Sequence, residues 1–392
     1  MDFLSFDQLL SLPTAIECIT TLCLFLFFPK FTFFILFLMI AIYLYLFRFR
    51  LNKPTKVKTS KMNSAIYLPT KSTNFLKVKS INIPSYADNE VLIAVKYASI
   101  NPVDYKVNTS LFPFARYFIP LSIGRDVVGT VIEIGKSVTK FSVGDVVYGC
   151  AESGSLAEYA VCMENKVSIV PSGINPIEIA GCALATETAY QSLLWFYKKE
   201  DFKDLTVLII GGSGGVGSSA IQLCKAFNVK KVYGTCSTKN VDFLRTFTPD
   251  IIDYTKDINN QIGAVKFDLI FDTVTSMDDP NQYLIYSQYL SNKGKYVQIN
   301  GTPGEFFGGI MATRVARISM LEKKNFHLHL LEWKREELED IAKIMRENKL
   351  KIRYEKMDFT YDDILGGFNK LKSRRTVGKI VYDINTTDST TY

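Results

Sequence analysis

The stretch LIIGGSGGVGSSAIQL, residues 208–223, carries the strongest signal for the fold. It contains the glycine pattern Gly212-x-Gly214-x-x-Gly217. The run Leu205–Ile210 before it is apolar except for Thr206, as a strand buried on both faces would be. Apolar residues then recur at helical spacing, which predicts a helix packed on that strand. A glycine loop between a buried strand and a helix predicts a nucleotide site, and the alternative is a glycine-rich turn without a ligand.

The loop residues have distinct predicted roles. Gly212 permits the tight turn, Gly214 lets the backbone approach a pyrophosphate, and Gly217 allows close contact between helix and strand. The N-terminus of the helix adds unpaired N–H groups and a partial positive charge. The phosphates of the cofactor are therefore expected at Gly212, Ser213, Gly214, Gly215, Val216 and Gly217.

The end of the second strand predicts which dinucleotide binds. Lys231–Cys236 is that strand, and the sequence after it lacks the Asp or Glu that usually binds the ribose 2′-hydroxyl of NAD. Ser237 and Lys239 stand there instead, and a hydroxyl with a lysine suits a 2′-phosphate. NADPH is the predicted cofactor. The alternative is that Lys239 is only a solvated lysine.

An apolar segment near the N-terminus predicts a membrane anchor. Phe31–Phe47 contains no charged residue in a chain of 392 residues with net charge +7. Six basic residues and no acidic one lie between Arg48 and Lys61, where anionic lipid headgroups and the positive-inside rule account for them. Membrane lipids are thus expected partners of residues 1–61, and nucleic acid is not.

The anchor has two candidate geometries. Phe31–Phe47 spans the membrane once, or Leu12–Phe47 forms a shallow hairpin that turns at Pro29-Lys30. The basic flank places the rest of the chain in the cytosol, on the endoplasmic reticulum, a lipid droplet or the mitochondrial outer membrane.

Cysteine and histidine usage argues against a metal centre. The seven cysteines form no CxxC pair and are interpreted as buried apolar residues. His327 and His329 are the only histidines, and they have no third ligand nearby in the sequence. A structural or surface pair is favoured over a metal site, so the prediction is that no metal binds.

The chain from about residue 64 to 384 resembles the medium-chain dehydrogenase/reductase superfamily, in its zinc-free quinone oxidoreductase and enoyl reductase branch. The matching stretches come in order: EVLIAVKYASINPVDYK, PLSIGRDVVGTVIEIGKSVTKFSVGDVVYG, SLAEYAVC, TAYQSLL, VLIIGGSGGVGSSAIQLCK, IIDYTKD, FDLIFDTV, GKYVQING and RRTVGKIVYDI. Tyr254, Asn300 and Lys379, each inside one of these stretches, complete the predicted cofactor site.

The resemblance implies an α/β fold with two domains behind the anchor. The segments are 1–61 for anchor and basic linker, 62–184 for the first part of a GroES-like substrate domain, 185–320 for a Rossmann domain, 321–384 for the return to the substrate domain, and 385–392 for a polar tail. The strand and helix alternation from Leu205 onward independently predicts a parallel sheet. A homodimer is kept as a candidate assembly.

The resemblance also implies a function. NADPH would deliver a hydride to a quinone or an α,β-unsaturated carbonyl. Asn101 would donate a hydrogen bond to the carbonyl, and Asp104 or Tyr105 would place or protonate the acceptor, although Asn101-Pro102 is also compatible with a simple turn. Zinc is not expected, because the zinc-ligand positions hold Asn101 and Arg125-Asp126.

Three departures from the family pattern leave a second hypothesis open. Glu187 and Thr275 stand where the family usually has glycine, and Thr248-Pro249-Asp250 replaces a usual Gly-Ala-Asp. The alternative is a non-catalytic or weakly catalytic scaffold of the same fold in membrane-protein or lipid-associated processes.

Overall fold

The computed structural model describes residues 60–67, 76–106, 121–275, 281–300 and 325–384, all within one compact unit, Thr55–Tyr392. No helix in these ranges is long and apolar enough to cross a bilayer. The predicted anchor at Phe31–Phe47 and the predicted tail at 385–392 lie outside the described residues.

The described strands alternate with short helices in the second half of the chain. The strands are β1 (Lys61–Tyr67), β2 (Leu76–Asn82), β3 (Glu90–Ile100), β4 (Leu121–Ser122), β5 (Asp126–Ile134), β6 (Val146–Cys150), β7 (Tyr159–Met163), β8 (Val167–Ile169), β9 (Thr206–Ile210), β10 (Lys231–Cys236), β11 (Ile251–Asp253), β12 (Phe267–Asp272), β13 (Leu290–Gln298), β14 (Phe326–Leu328), β15 (Tyr354–Asp358) and β16 (Lys379–Asp383). The α-helices are α1 (Pro102–Lys106), α2 (Pro176–Ala180), α3 (Ala183–Leu193), α4 (Gly215–Ala226), α5 (Val241–Arg245), α6 (Ile258–Ile262), α7 (Gln282–Tyr286), α8 (Arg335–Asn348) and α9 (Tyr361–Lys372).

Six strands form a parallel sheet in the order β11-β10-β9-β12-β13-β14. Counted from β9, this is the order 3-2-1-4-5-6 of the doubly wound dinucleotide-binding fold, so the predicted parallel sheet is confirmed. The strand β9 lies at its centre because Val207–Ile210 is buried on both faces. The order of the strands reverses between β9 and β12, and ligands of such sheets bind at the carboxyl ends of the strands at this point.

A second sheet is mainly antiparallel, in the order β15-β16-β3-β5-β6-β8, with β7 also paired to β3. The last strand of the described chain, β16, pairs with β3 so that Ile380 lies opposite Ile100. The C-terminal segment therefore returns to the sheet formed by the first segment, as the resemblance implied. This pairing brings Gly378 and Lys379 beside Asn101.

Two elements near the site have bounds that matter. The helices α2 and α3 are separate, since the chain turns at Gly181 and α3 begins after Cys182. The strand β15 begins at Tyr354, which lies opposite Lys379 of β16.

Candidate active site

The glycine loop is held against the neighbouring strand by its own backbone. Gly211 N donates to Thr235 Oγ1 at 3.0 Å, and Gly212 N donates to the carbonyl of Thr235 at 2.8 Å. Gly214 N then bonds back to the carbonyl of Gly211 at 3.0 Å. These bonds fix the turn from β9 into α4 at the switch point of the sheet. The hydroxyl of Thr235 thus supports the loop.

The space around each glycine separates structural roles from a ligand-facing role. Gly211 has φ +83°, so the tight turn that was assigned to Gly212 belongs to Gly211. A methyl group on Gly212 would meet Ile221 Cδ1 at 3.0 Å, and one on Gly217 would lie 2.2 Å from the carbonyl oxygen of Gly211. Gly217 therefore lets α4 approach the backbone of the turn that follows β9.

Gly214 is different, because a Cβ there would touch only Gly211 O, at 3.5 Å. The face of the loop at Gly214 is open. It is also the N-cap of α4, and no side chain caps this helix end. The first hydrogen bond into the helix runs from Ser218 N to the carbonyl of Gly214. The N–H groups of Gly215, Val216 and Gly217 precede it and therefore have no acceptor within the helix. This cradle fits a pyrophosphate.

The C-terminal segment contacts the same loop. Gly378 N donates to the carbonyl of Ser213 at 2.9 Å, and Gly378 and Gly214 form a parallel bridge. The position of Gly378 requires glycine for two reasons. Its φ is +70°, which other residues rarely adopt, and a Cβ would lie 2.1 Å from Arg353 O. The substrate-side sheet and the nucleotide loop are thus joined by backbone.

Lys379 enters a buried polar network beside this contact. Its Nζ lies 3.1 Å from Asp126 Oδ2 and also donates to Asn101 Oδ1. Asn101 Nδ2 donates to the same carboxylate at 3.0 Å. Asp126 accepts further hydrogen bonds from Ser99 Oγ and Leu184 N. Asp126, Asn101 and Lys379 are each at most 5% exposed, so the ion pair is closed to solvent.

The network changes how two predicted residues are placed. Asn101 was expected to donate to a substrate carbonyl, and its amide is buried and bonded on both sides within the protein. Lys379 was expected to bind the cofactor, and its ammonium faces Asn101 and Asp126. Only its stem lies at the loop, where a Cβ on Gly215 would meet Lys379 Cδ at 2.7 Å.

Asp104 lies next to this network, in α1. Its Oδ2 accepts from Asn101 N at 2.7 Å. Desolvation raises the pKa of Asp104 to about 7. The hydrogen bond from Asn101 lowers this pKa, and the nearby carboxylate of Asp126 raises it further. This carboxyl therefore carries a proton on a large share of molecules at neutral pH. Tyr105, the next residue, is half-buried, with Lys372 Nζ 5.9 Å from the centroid of its ring.

The predicted 2′-phosphate residues lie together at the end of β10. Lys239 is exposed, and Ser237 is half-buried. Tyr254, which follows β11 in the neighbouring position of the sheet, is 56% exposed. Asn240 Nδ2 donates to Ser213 Oγ at 3.3 Å, which ties this strand end to the glycine loop.

A carboxylate also lies near this strand end. Asp253, at the end of β11, accepts from Thr238 Oγ1 and Thr255 Oγ1, each at 2.6 Å. Burial alone would raise the pKa of Asp253, but these hydrogen bonds and Lys256 lower it to about 2. Asp253 lies in IIDYTKD, one of the stretches that carry the family resemblance, and the sequence did not predict its contact with Thr238. This contact depends on the pairing of β10 with β11.

The remaining predicted cofactor residue, Asn300, follows β13, and its carbonyl accepts from the side chain of Gln298. Thr275, at a departure from the family pattern, is buried and bonds through its hydroxyl and backbone N to Asp272. Thr275 thus closes the turn after β12 with a side chain in place of a glycine.

Glu187 is a buried carboxyl that the sequence marked only as a departure. It lies in α3 and accepts from Lys334 N at 2.8 Å through Oε1, while Oε2 has no partner among the described residues. Burial raises the pKa of Glu187 to about 9. The negative charges of Glu337 and Asp126 also raise this pKa, whereas the hydrogen bond from Lys334 N lowers it. Its signal was a single charge in the otherwise uncharged helix ALATETAYQSL.

The two histidines form part of an aromatic cluster away from the loop. His327 stacks on Trp195 with ring centroids 3.8 Å apart, and His329 Nε2 lies 3.1 Å from Gln191 Oε1. Burial lowers the pKa of each imidazole to about 4. No group of three or more metal-ligating side chains occurs in the part of the chain that the structure describes. At the zinc positions of the family, Arg125 is exposed and bonds to the carbonyl of Ala151.

Comparison with known proteins agrees with this geometry. Two family models match the chain: "Alcohol dehydrogenase GroES-like domain" at residues 87–172 and "Zinc-binding dehydrogenase" at residues 249–381. The 2-methylene-furan-3-one reductase of Solanum lycopersicum is 31% identical over 338 residues, which cover 82% of this chain and 79% of the relative. The chain belongs to the medium-chain dehydrogenase/reductase superfamily.

Two further superfamily members support a narrower placement. The chloroplastic NADPH-dependent alkenal/one oxidoreductase of Arabidopsis thaliana is 33% identical over 259 residues, 62% of this chain and 64% of the relative. The solved quinone oxidoreductase of Coxiella burnetii is 27% identical, with a TM-score of 0.70 over 83% of this chain and all of that one. The resemblance of this chain to quinone oxidoreductases and enoyl reductases is confirmed. The chain is an oxidoreductase that uses a nicotinamide cofactor.

Proposed function

We propose that the protein is an NADPH-dependent reductase of quinones or α,β-unsaturated carbonyls that works without zinc. The observation that carries this proposal is the open, uncapped cradle at Gly214, which lies directly against Gly378. The next residue, Lys379, contacts Asn101, whose N–H binds Asp104. A phosphate group at the cradle would place the rest of the dinucleotide along the carboxyl ends of the strands, toward these residues. The names of the relatives from Solanum lycopersicum, Arabidopsis thaliana and Coxiella burnetii support the same substrate class.

The nicotinamide, when bound, supplies a hydride, which carries both electrons of the reduction. The acceptor then needs one proton to complete the reduction of its double bond or quinone oxygen. Asp104 is the residue that we assign to hold this proton, because its pKa of about 7 leaves it protonated in part at neutral pH. Tyr105 adjoins it and is assigned to positioning the acceptor.

The buried network has a supporting role in this proposal. Asn101 N fixes the carboxyl of Asp104, and Asn101 is in turn fixed by Asp126 and Lys379. Lys379, the first residue of β16, follows Gly378, whose N–H binds the carbonyl of Ser213 in the glycine loop. The network would therefore keep the proton donor at a constant distance from the cofactor cradle.

One experiment tests the function. NADPH consumption is measured with a panel of quinones and enones, in parallel with NADPH binding by fluorescence. Turnover with an acceptor of either class supports the reductase. Tight binding of NADPH without turnover on any acceptor would favour the scaffold hypothesis, because a phosphate-binding loop can be kept after activity is lost.

We further propose that residues 1–61 attach the protein to a membrane with the reductase unit in the cytosol. The support is the uncharged segment Phe31–Phe47 and the basic residues that follow it. The intact chain should remain in the pellet after carbonate extraction, and full release would contradict the proposal. A glycosylation sequon added before Asp7 should be modified if the segment spans the membrane and unmodified if Leu12–Phe47 forms a hairpin.

A further inference from the structure

Arg353 reaches the nucleotide cradle from the last part of the chain. Its carbonyl accepts from Lys379 N at 2.9 Å, and its backbone lies against Gly378, where a Cβ would be 2.1 Å from Arg353 O. Gly378 is the residue whose N–H binds the carbonyl of Ser213 in the glycine loop. The side chain of Arg353 therefore starts beside the loop, although it does not belong to the parallel sheet.

The guanidinium of Arg353 lies beside α5, the helix that follows the end of β10. It lies 4.9 Å from the centroid of the Phe243 ring. Phe243 belongs to α5, which begins directly after Ser237–Asn240, and Asn240 is bonded to Ser213. The guanidinium thus lies near the loops that follow β9 and β10. In a sheet of this order, the adenosine ribose of a dinucleotide lies between these two loops.

The charge of Arg353 remains available for a ligand. The side chain is exposed, and no ion pair within the described ranges includes it. Asp253, the carboxylate near this strand end, is already bonded to Thr238 and Thr255. The contact of the guanidinium with the Phe243 ring limits the conformations of the arginine and so reduces the entropy lost when it binds an anion.

We propose that Arg353 is a specificity-determining residue that binds the 2′-phosphate of NADPH together with Lys239. The proposal rests on the proposed function, because it assigns a further residue to the same cofactor site. A planar guanidinium can hold two phosphate oxygens at once, whereas the lysine provides a single charge. The two residues come from opposite parts of the chain, so the phosphate would join the C-terminal segment to the parallel sheet.

The test uses two nucleotide fragments that differ by the phosphate in question. Adenosine 2′,5′-bisphosphate and adenosine 5′-monophosphate are titrated by calorimetry into the full chain and into Arg353→Ala. We expect the bisphosphate to bind about ten- to a hundred-fold more weakly to the variant, as loss of a charge-assisted contact implies, and the monophosphate to change less than about twofold. Phe243→Leu, which removes the ring and keeps the charge, should weaken only the bisphosphate and by less.

Arg346→Ala is the matched control, since Arg346 is an exposed arginine on α8 beside Ser168. It should leave both dissociation constants unchanged. Arg353→Ala that binds both fragments like the wild type, or that loses both equally, overturns the inference and leaves the proposed function standing. A wild-type chain that binds neither NADPH nor the bisphosphate contradicts the proposed function itself. Unfolding midpoints in urea confirm that each variant is folded.

Discussion

Lys379 Nζ lies 3.1 Å from Asp126 Oδ2, and both side chains are almost completely buried. The strand β3 lies between β16, which carries Lys379, and β5, which carries Asp126, so the ion pair crosses over β3. Asp126 belongs to the Arg125-Asp126 pair that occupies zinc-ligand positions of the zinc-dependent relatives. In this chain the position serves an internal ion pair that also holds Asn101 and the first turn of α3.

The first prediction concerns the energy of this pair. Asp126→Ala leaves the Lys379 ammonium buried without its counter-charge, so we expect a loss of about 3–5 kcal/mol in the free energy of unfolding. The measurement is urea denaturation. Asp242→Ala is the control, because Asp242 pairs with Arg245 at 2.8 Å on the surface and should cost less than about 1 kcal/mol. Similar losses in the two variants would show that the buried network contributes little.

The second prediction separates the glycines of the loop. Gly217→Ala forces a methyl group to within 2.2 Å of Gly211 O and should destabilise the fold by about 1–3 kcal/mol. Gly214→Ala has room and an ordinary φ of −78°, so stability should change by less than about 0.5 kcal/mol. Gly214→Glu should remain folded and lose NADPH binding, since its carboxylate enters the phosphate cradle. Unchanged NADPH affinity in Gly214→Glu would mean that the loop is only a turn.

The third prediction concerns Glu187 and the pH dependence of stability. Its pKa is about 9 in the folded chain, against an ordinary value of 4.5, so the unfolded chain releases this proton at a lower pH than the folded chain does. The contribution of Glu187 to stability is therefore complete below about pH 4.5 and is lost as the pH rises toward 9. Glu187→Gln removes this titration and should be more stable than the wild type by up to about 3 kcal/mol at pH 7. The two should converge near pH 4. Parallel stability curves from pH 4 to pH 9 would contradict a buried, protonated Glu187.

The sequence predicted the layout of the fold because its signals were local. Buried strands, the glycine loop and the alternation of strands with helices after Leu205 need no tertiary information. The loop was placed correctly, but the turn was assigned to Gly212 although Gly211 has the positive φ. Neither residue type nor spacing distinguishes two adjacent glycines, whereas the positive φ of Gly211 in the folded chain does.

The direction of long side chains was beyond the sequence. Lys379 lies in a stretch that meets the cofactor loop, yet its ammonium turns to Asp126 because β16 pairs with β3 in one particular register. Arg353 carries no family motif, and only the contact of its backbone with Gly378 brings it to the loop. Both cases depend on pairing between residues more than twenty positions apart.

The fourth prediction concerns proton donation by Asp104. A donor must be protonated, so turnover at saturating NADPH and acceptor should fall as the pH rises through about 7, the pKa of this carboxyl. Asp104→Asn should lower kcat by about a hundredfold or more and remove this pH dependence, while NADPH affinity stays constant. Tyr105→Phe tests the neighbouring hydroxyl separately. If Asp104→Asn keeps the rate and the pH profile of the wild type, the proton comes from elsewhere.

The fifth prediction concerns the choice between NADPH and NADH at the end of β10. Ser237 can donate one hydrogen bond to a 2′-phosphate and Lys239 can pair with it, and charge-assisted bonds of this kind contribute about 1.5–3 kcal/mol each. We therefore expect NADPH to bind roughly ten- to several-hundred-fold more tightly than NADH, at 1.4 kcal/mol per tenfold. Lys239→Ala should weaken NADPH and leave NADH nearly unchanged.

The matched variant for this site is Ser237→Asp. It adds a carboxylate that can accept from the ribose 2′-hydroxyl and that repels a 2′-phosphate, so the preference should turn toward NADH. The quantity measured is the ratio of the two dissociation constants for each protein, by quenching of tryptophan fluorescence. Equal binding of both dinucleotides by the wild type, or equal weakening of both by Lys239→Ala, would show that this strand end does not read the phosphate. In that case Tyr254, which is exposed in the neighbouring position of the sheet, would be the next residue to change.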